Sequence, residues 1–502
     1  MTYYYESRFF YTVKISPLLE GKFGKMFRSR LIGPYQFDGV NWLTQREQAP
    51  VTPGGFLCDE MGLGKTAQIL AAMCHNVRKK TLVVVPKSLV SQWALEIQRF
   101  VPSFHVHMFD GIKRTAPVFT DEPTVVIAPY SVIGTRKNAP VCPLLKIRWD
   151  RIILDEAHEI RNRKSQTHIC CNALQGDIRW VLTGTPVFNS IKDFISLGQF
   201  LGLSRTLIES NPDEIRKQYV LRRTKEDVSQ FNIRLKLPPC EFENVELQMY
   251  PEEKEIYLEA FSAGQDVVSM AEVASGNHSM ELIEALLRVR QVMTWPQMYL
   301  DGMAKKFETP AKQFGGKSKK METLMEMIQS HPKEKALVFC QFIGEMDHIQ
   351  SRLIAAGIPV CRIDGSVDKD GRATQIQNFK KHYWERHPVF LIQIKAGGVG
   401  LNLQEATRVY LTAPSWNPAT ELQAIARAHR TGQAQKVIVR KLLYVGEEGV
   451  PPVHSVEQSI LALQEQKCKV CAEVLNDERL MGQIPKLKTA VTVHLLKKIF
   501  RV

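Results

Sequence analysis

The chain has 502 residues, and at about 150 residues per domain this length predicts roughly three domains. Hydrophobic residues make up 44% and charged residues 24%, with 30 Gly and 26 Pro, which excludes collagen-like, low-complexity and wholly disordered chains. The 66 Lys and Arg outnumber the 52 Asp and Glu, and the net charge of +14 favours a polyanionic partner, either nucleic acid or an anionic membrane surface.

The sequence lacks the features of a membrane span or a secretory signal. Its apolar runs, such as Thr81–Val85, fall short of the roughly 18 residues that a spanning helix needs, and Met1–Glu6 carries an acid before any base. We therefore expect a soluble, intracellular protein whose ten Cys are reduced thiols. Cys468 and Cys471 alone have metal-like spacing, and because zinc requires four ligands, two helix-borne thiols are favoured over a structural metal site.

Short β-branched runs alternate with amphipathic stretches in the first part of the chain. This alternation predicts βαβ units, with a parallel sheet covered by helices on both faces. The predicted strands are Thr81–Val85, Thr124–Ala128, Arg151–Leu154 and Trp180–Thr183.

A second series of such runs predicts a second α/β lobe. Its predicted strands are Ala336–Cys340, Val360–Ile363, Val389–Ile394, Arg408–Thr412 and Val437–Leu443. Between the two series, from about Ile191 to Met325, helical patterns such as Glu252–Phe261 and Met280–Met293 predominate. The Gly- and Lys-rich stretch Phe314–Lys320 favours an inter-lobe hinge over a nuclear address.

These patterns predict an α/β protein with two parallel-sheet lobes and helical insertions between them. The expected segments are an N-terminal segment (1–27), a first lobe (28–205), a helical insertion (206–313), a second lobe (314–466) and a C-terminal tail (467–502).

A glycine-containing loop, Asp59–Thr66, carries the strongest local signal for chemistry. Backbone N–H groups around Gly62 and Gly64, in a loop that opens a helix, can bind phosphates. Lys65 can contact the β- and γ-phosphates, and the Thr66 hydroxyl can ligate Mg²⁺. The usual pattern has Gly where this chain has Asp, at position 59, so the loop alone leaves phosphate binding and an ordinary turn both open.

Two adjacent carboxylates follow an apolar run about 90 positions later. Ile152–Leu154 predicts a strand, and Asp155 and Glu156 then lie at the carboxyl end of the sheet, where open α/β sheets bind ligands. Asp155 is positioned to hold Mg²⁺, directly or through water, and Glu156 to orient and deprotonate the attacking water. With the upstream loop, this pattern predicts a phosphate-bearing ligand and Mg²⁺, and the family resemblance described next implies that the ligand is ATP.

Both motifs resemble those of the Swi/Snf group of DNA-translocating ATPases within helicase superfamily two. The loop reads DEMGLGKT, a P-loop, and the carboxylates lie in LDEAH, a DEAH box. The resemblance continues in order from about Leu31 to about Gln466, and Leu221–Lys225 followed by Leu237–Pro239 is a signature of this group rather than of helicases in general. It implies two RecA-like lobes and movement along duplex DNA without strand separation.

The resemblance also implies roles for further residues. Gln36 reads the base on the adenine side, and Gly400 belongs to a loop that meets both DNA and ATP. The residues implied in nucleic-acid contact, or in coupling it to ATP, are Lys87, Ser88, Thr183, Thr185, Gln341, Gly397, Gly398, Asn402 and Trp416.

Two arginines near the end of the second lobe complete the implied site. Arg427 and Arg430 are three apart, so a helix would place both on one face. The resemblance makes Arg430 the arginine finger and Arg427 its companion. If Lys65 lies on one lobe and the arginines on the other, the catalytic set is complete only when the lobes close over ATP.

We therefore expect an ATP-dependent translocase on duplex DNA that remodels or displaces bound proteins. It is expected to act as a monomer, without sequence preference or membrane partner, in the nucleus or at a viral replication site, alongside transcription or repair proteins. Two alternatives stay open: a strand-separating DNA or RNA helicase, and a DNA-binding scaffold that has lost coupling. Two departures from the group bear on the scaffold alternative: Ala426 replaces the usual acid, and Gln393 replaces a small hydroxyl residue.

Overall fold

A computed structural model describes much of the chain. The described residues are 26–28, 31, 33–111, 114–134, 142–184, 191–229, 237–273, 279–381, 386–397, 401–430, 432–446, 455–475 and 500. The chain divides into two compact units, the first built from residues 1–186 and 192–236 and the second from residues 187–191 and 237–502.

The first unit contains a seven-stranded sheet. Its strands are β1 (Gly54–Leu57), β2 (Lys80–Val85), β3 (His105–Met108), β4 (Thr124–Pro129), β5 (Arg148–Asp155), β6 (Gln175–Leu182) and β7 (Val220–Leu221). The order across the sheet is β3-β4-β2-β5-β6-β1-β7, and all neighbours are parallel.

Helices lie in most of the connections between these strands, as is usual for parallel pairing. They are α1 (Pro34–Glu47), α2 (Lys65–His75), α3 (Val90–Phe100), α4 (Tyr130–Ile133), α5 (Gln166–Ala173), α6 (Ile191–Phe200), α7 (Arg205–Ser210), α8 (Pro212–Tyr219) and α9 (Lys225–Ser229). Single 3₁₀ turns lie at Lys87–Leu89, Pro143–Lys146 and Ala157–Ile160.

Continuous apolar runs form the centre of the first sheet. Leu82–Val85 in β2 and Ile152–Leu154 in β5 are fully buried, which is typical of parallel strands covered on both faces. Each of these apolar runs reaches the carboxyl half of its strand, so the next polar side chain lies at or beyond the strand end. Asp155 at the end of β5 is one of these residues.

The second unit contains a six-stranded sheet. Its strands are β8 (Cys240–Leu247), β9 (Ala336–Cys340), β10 (Val360–Ile363), β11 (Val389–Gln393), β12 (Arg408–Leu411) and β13 (Val437–Tyr444). The order is β10-β11-β9-β12-β13-β8, again with parallel neighbours. Its helices are α10 (Pro251–Val273), α11 (Ser279–Val292), α12 (Pro296–Phe307), α13 (Lys319–Gln329), α14 (Ile343–Ala355), α15 (Lys369–Lys380), α16 (Ile394–Gly397), α17 (Pro418–Ile425) and α18 (Val456–Leu475).

The two parallel sheets with interspersed helices confirm the predicted α/β class with two parallel-sheet lobes. The domain boundaries given by the sequence stay predictions. Strand β8 was not expected, because it lies in the segment predicted to be a helical insertion. It is an edge strand whose glutamates pair with β13 and the residue before it: Glu243 with Arg440, and Glu241 with Arg440 and Lys436.

The hinge prediction for Phe314–Lys320 is wrong, because this stretch lies inside the second compact unit. Lys320 is fully buried, and its Nζ donates to Glu457 Oε1 at 2.5 Å. The Tyr444 hydroxyl accepts from the Lys320 backbone N–H at 3.1 Å. A lysine held in this way is a packing element, so the glycines beside it mark a turn into α13 rather than a hinge.

Among the described residues, no helix combines the length and the apolar composition needed to cross a membrane. The longest, α10, has 23 residues and opens with charged side chains at Glu252, Glu253 and Lys254.

Candidate nucleotide and nucleic-acid site

The predicted phosphate loop connects β1 to α2. Gly62 and Gly64 have φ of +92° and +76°, in the left-handed region that glycine adopts without strain. At Gly64 a Cβ would lie 2.5 Å from Gln36 Nε2, so only glycine fits there. The loop ends where Lys65 begins α2, and the N–H groups of that first turn form the positive end of the helix dipole.

Lys65 lies beside two other parts of the carboxyl edge of the sheet. Its Nζ donates to the Asp59 backbone carbonyl at 2.8 Å, so the loop holds the ammonium group. A Cβ built on Gly184 would lie 3.7 Å from that Nζ, which places the segment after β6 next to it. Thr66, predicted to ligate Mg²⁺, follows Lys65 in the helix and is partly exposed.

Gln36 contacts the loop from the first turn of α1. Its buried amide Nε2 donates to the Leu63 carbonyl at 3.2 Å, and the Tyr35 hydroxyl donates to the same oxygen at 3.1 Å. Burial and the nearby Asp59 charge raise the pKa of Tyr35 to about 12, so its hydroxyl remains a donor at neutral pH. The structure thus joins Gln36 to the phosphate loop, while its base-reading role stays a prediction.

Asp155 ends β5 at the same edge of the sheet. Its Oδ2 accepts from the indole Nε1 of Trp93 at 2.7 Å, and its Oδ1 accepts from the Glu156 backbone N–H at 2.9 Å. Burial, and next the Glu156 charge, raise the pKa of Asp155 to about 6, while the Trp93 hydrogen bond and the Lys65 charge act in the opposite direction. This carboxylate is therefore oriented by protein donors but lacks full charge compensation from them.

Glu156 has a left-handed backbone, with φ of 48° and ψ of 47°. For a non-glycine residue this conformation costs on the order of 1–3 kcal/mol, and such strain persists mainly at functional sites. His158 Nδ1 lies 3.3 Å from Glu156 Oε2, so the carboxylate has an imidazole neighbour within its own motif.

The predicted nucleic-acid residues of the first unit follow the strands of its sheet. Lys87 and Ser88 are exposed in the 3₁₀ turn after β2. Thr183 is buried, and its N–H donates to the Leu57 carbonyl at 3.2 Å, so it lies beside the end of β1. Thr185 lies outside the described residues.

In the second unit, Gln341 and Trp416 belong to one cluster. Gln341 Nε2 donates to the Ser415 hydroxyl at 3.3 Å, next to Trp416. The Arg290 guanidinium lies 5.4 Å from the centre of the Trp416 ring and 5.9 Å from that of Phe342. The structure therefore brings two of the residues predicted to contact nucleic acid, Gln341 and Trp416, close to one cation–π arrangement.

Arg427 and Arg430 do not lie on a helix, and this part of the sequence prediction is wrong. Helix α17 ends at Ile425, and both arginines follow in consecutive turns. The turns are held from outside, because Gln433 Nε2 donates to the Ala428 carbonyl at 3.2 Å. His429 Nε2 also lies 2.8 Å from the Pro238 carbonyl oxygen, within the Leu237–Pro239 signature.

The same turns contact the end of the predicted DNA- and ATP-binding loop. The Leu403 N–H donates to the Arg427 carbonyl at 3.1 Å, and Arg430 Nη1 donates to the Leu401 carbonyl at 3.4 Å. Asn402, between Leu401 and Leu403, is exposed. Gly397 ends α16, and Gly398 and Gly400 lie outside the described residues.

Sequence reasoning assigned no role to three residues that shape this site. Trp93 orients Asp155, and its only signal was its place five residues after Ser88, which was predicted to contact nucleic acid. Asp59 and Arg223 form a buried ion pair with a closest N–O distance of 2.5 Å, and the only hint was that each lies in a motif of the group. Within the described part of the chain, no three or more His, Cys, Asp and Glu side chains form a cluster that could hold a metal ion by themselves.

Two family models match the sequence. The SNF2-related domain matches residues 35–209, and the helicase conserved C-terminal domain matches residues 319–432, together more than half of the chain. A protein of Orgyia pseudotsugata multicapsid polyhedrosis virus, named "Probable global transactivator", is 29% identical over 493 residues, which cover 93% of each chain.

Other similar proteins are longer. The "ISWI chromatin-remodeling complex ATPase ISW1" of Saccharomyces cerevisiae is 29% identical over 479 residues, which cover 89% of this chain and 41% of that protein. The solved structure "Sulfolobus solfataricus SWI2/SNF2 ATPase core in complex with dsDNA" is 24% identical, with a TM-score of 0.40, over 94% of this chain and 97% of that chain. The chain thus spans nearly all of the viral relative and less than half of ISW1.

Proposed function

Because the chain belongs to the Swi/Snf-type nucleic-acid-dependent ATPases of helicase superfamily two, we propose that it uses ATP hydrolysis to translocate along duplex DNA. One observation carries the proposal: the phosphate loop with Lys65 and the carboxylates Asp155 and Glu156 lie at the same edge of one parallel sheet, where the Lys65 charge acts on Asp155. A phosphate-binding loop beside an acid pair suits phosphoanhydride hydrolysis.

Each site residue of the first unit has a distinct role in this proposal. Lys65 and the N–H groups at the start of α2 bind the phosphates, with Gly62 and Gly64 allowing close approach. Gln36 reads the adenine base. Glu156 orients the attacking water and accepts its proton.

The residues present also fit a magnesium ion. Thr66 offers a hydroxyl, and Asp155 offers a carboxylate that burial leaves short of positive charge. A bound Mg²⁺ would neutralise charge on the phosphates. Trp93 and the Glu156 N–H hold Asp155 in one orientation for this role.

We assign Arg430 the arginine-finger role, with Arg427 as its companion, as the family resemblance implies. Fingers of this kind contribute about 10³- to 10⁵-fold in rate. The contacts of both residues with Leu401–Leu403 support the assignment, because the segment that precedes Leu401 is the predicted DNA- and ATP-binding loop. Gly400 belongs to that loop.

The proposed DNA contacts are backbone contacts without sequence preference. The positions proposed for contact or coupling are Lys87, Ser88, Thr183, Thr185, Gln341, Gly397, Gly398, Asn402 and Trp416. The exposure of Lys87 and Ser88 and the net charge of +14 support a phosphate-backbone grip. Such a grip predicts affinity that falls steeply with salt.

The names of two relatives suggest the biological setting. One is named for chromatin remodelling and the other for transactivation. We propose that this chain remodels or displaces proteins bound to DNA, in the nucleus or at a viral replication site. We also propose that it acts as a monomer, with transcription or repair proteins as partners.

The test compares ATP turnover with no nucleic acid, single-stranded DNA, duplex DNA and RNA. We expect duplex DNA to give the largest stimulation, and Lys65→Ala to lose turnover with each of them. Translocation is measured by displacement of the third strand of a DNA triplex, and unwinding by strand separation of a forked duplex. Triplex displacement without unwinding supports the proposal. Strand separation, strongest stimulation by RNA, or full turnover in Lys65→Ala would contradict it.

A further inference from the structure

The segment Leu221–Lys225 runs along the phosphate loop. Strand β7 pairs in parallel with β1, and the pairing continues past both strands. The Cys58 N–H donates to the Leu221 carbonyl at 2.7 Å, and the Glu60 N–H donates to the Arg223 carbonyl at 2.8 Å. The first residues of the loop are therefore held by backbone hydrogen bonds to a chain segment more than 160 residues away.

Arg223 bridges three parts of the site. Its Nε and Nη2 donate to the two carboxylate oxygens of Asp59 at 3.0 and 2.5 Å, a bidentate pair. Its Nη2 also donates to Gln68 Oε1 at 2.7 Å, and its Nη1 donates to the Tyr35 carbonyl. The side chains of Arg223 and Asp59 are only 5% and 0% exposed, so water contributes almost nothing to this network.

The network reaches the apex of the loop at the Leu63 carbonyl. Gln68 Nε2 donates to Asp59 Oδ2 at 3.0 Å and to the Leu63 carbonyl at 3.2 Å. The same oxygen accepts from Tyr35 and Gln36, so three side chains fix the peptide that precedes Gly64. The Leu63 side chain in turn packs against Tyr35 and against Val228 of α9.

Electrostatics explains why the loop needs this arginine. Asp59 stands where the usual phosphate loop has glycine, and a buried carboxylate beside a polyphosphate would repel it. Arg223 cancels this charge with a fork that also fixes the orientation of the carboxylate. The next loop residue, Glu60, also pairs with a basic residue, Lys225 at the end of the Leu221–Lys225 segment. Its Oε2 accepts from the Lys225 N–H at 2.8 Å, and its Oε1 lies 3.3 Å from Lys225 Nζ.

We propose that Arg223, acting through Asp59 and Gln68, is a positioning residue that sets the conformation and the charge of the phosphate loop. This gives the Leu221–Lys225 signature a role in nucleotide binding. The inference rests on the proposed function, because it assumes that the loop binds ATP.

The first unit provides a matched control. Arg151 and Glu47 form a second buried bidentate pair, with N–O distances of 2.6 and 2.5 Å and side chains that are 0% exposed. This pair lies by Asn76, which follows the far end of α2, about 16 Å along the helix from Lys65. Arg151→Gln therefore breaks an equivalent pair without touching the loop.

The experiment measures the affinity for a fluorescent ADP, the KM for ATP and kcat in the full chain. We expect Arg223→Gln to raise KM by roughly tenfold or more with a smaller change in kcat, because an unpaired Asp59 charge repels the nucleotide before and during reaction. Asp59→Asn/Arg223→Gln removes both charges and is expected to recover most of the affinity. Arg151→Gln is expected to lower the melting temperature and leave KM unchanged.

The outcomes separate three cases. If the parent protein neither binds the ADP probe nor hydrolyses ATP, the proposed function fails whatever the variants do. If the parent binds it, and Arg223→Gln melts earlier with an unchanged KM as Arg151→Gln does, then Arg223 is only a packing residue and the inference is overturned. Should Arg223→Gln not fold, Arg223→Lys decides: it keeps the charge but loses the fork, so a raised KM supports the inference and an unchanged KM contradicts it.

Discussion

Helix α2 has a buried arginine–carboxylate pair near each of its ends. Near the N-terminal end, Arg223 and Asp59 join segments without regular structure, and one of them is the phosphate loop. Near the C-terminal end, Arg151 and Glu47 join α1 to β5, where the pair is tied to Asn76 and β6. The chemistry is the same, but only the first pair includes a residue of the loop that we propose binds the nucleotide.

The carboxylate of the C-terminal pair accepts from two further side chains, one in β6 and one just after α2. Glu47 Oε1 also accepts from Trp180 Nε1 at 2.9 Å, and its Oε2 accepts from Asn76 Nδ2 at 2.7 Å. Because all of these partners are protein groups away from the phosphate loop, this pair contributes to packing and stability. The comparison therefore predicts that changes near the two ends of α2 will affect different measurements.

Glu156→Gln is expected to have the largest effect, a loss of ATP turnover. Glu156 lies at the same edge of the sheet as the phosphate loop. An amide cannot accept the proton of the attacking water, and general-base catalysis contributes about 10²- to 10⁴-fold. We expect kcat with duplex DNA to fall by that factor while the ADP probe still binds. ATPase rates and probe titration check this. A variant with normal kcat would remove Glu156 from its assigned role.

The same substitution near the other end of α2, Glu47→Gln, is expected to affect stability instead. It leaves the Arg151 charge buried without a counter-charge, and breaking one partner of such a pair costs about 3–5 kcal/mol. Denaturant unfolding of the first unit should shift by this amount, with kcat and KM per folded molecule unchanged. If Glu47→Gln altered KM in fully folded protein, the division between the two ends would be wrong.

The apolar pattern of the sequence predicts the buried strands well, because a run such as Leu82–Val85 has few alternatives to a sheet centre. It misses β1, β3, β7 and β8, and for β1 and β8 the physical reason is visible. The Gly-Gly start of β1 has low strand propensity, and β8 alternates acids along an exposed edge. It pairs along its whole length with β13, and its glutamates pair with Arg440 and Lys436, almost 200 residues later, which local pattern does not indicate.

The site shows the same limit. Motifs identify Lys65, Asp155 and Glu156, because each type of chemistry requires those residues at that spacing. They do not identify which distant side chain neutralises Asp59, since Arg223 is 164 positions away. They also mislead at Arg427 and Arg430, because the spacing suggests a helix and the structure has turns. The Gln433 side chain contacts these turns, and His429 within them contacts the Pro238 carbonyl.

The smallest expected effect concerns an ion pair that is exposed rather than buried. Arg148 lies in β5 like Arg151, and its Nη2 is 2.8 Å from Asp177 Oδ1, yet the two side chains are 78% and 54% exposed. Water already solvates both charges, so Arg148→Ala should lower the free energy of unfolding by less than about 1 kcal/mol.

A double-mutant cycle with Asp177→Ala, run at low and high salt, measures this pair directly. We expect a coupling that disappears at high salt, because exposed charges are screened by ions. A coupling as large as the loss in Glu47→Gln would mean that strand position, and not burial, decides the strength of these pairs. The contrast between the two ends of α2 would then need an explanation other than the elements that each pair joins.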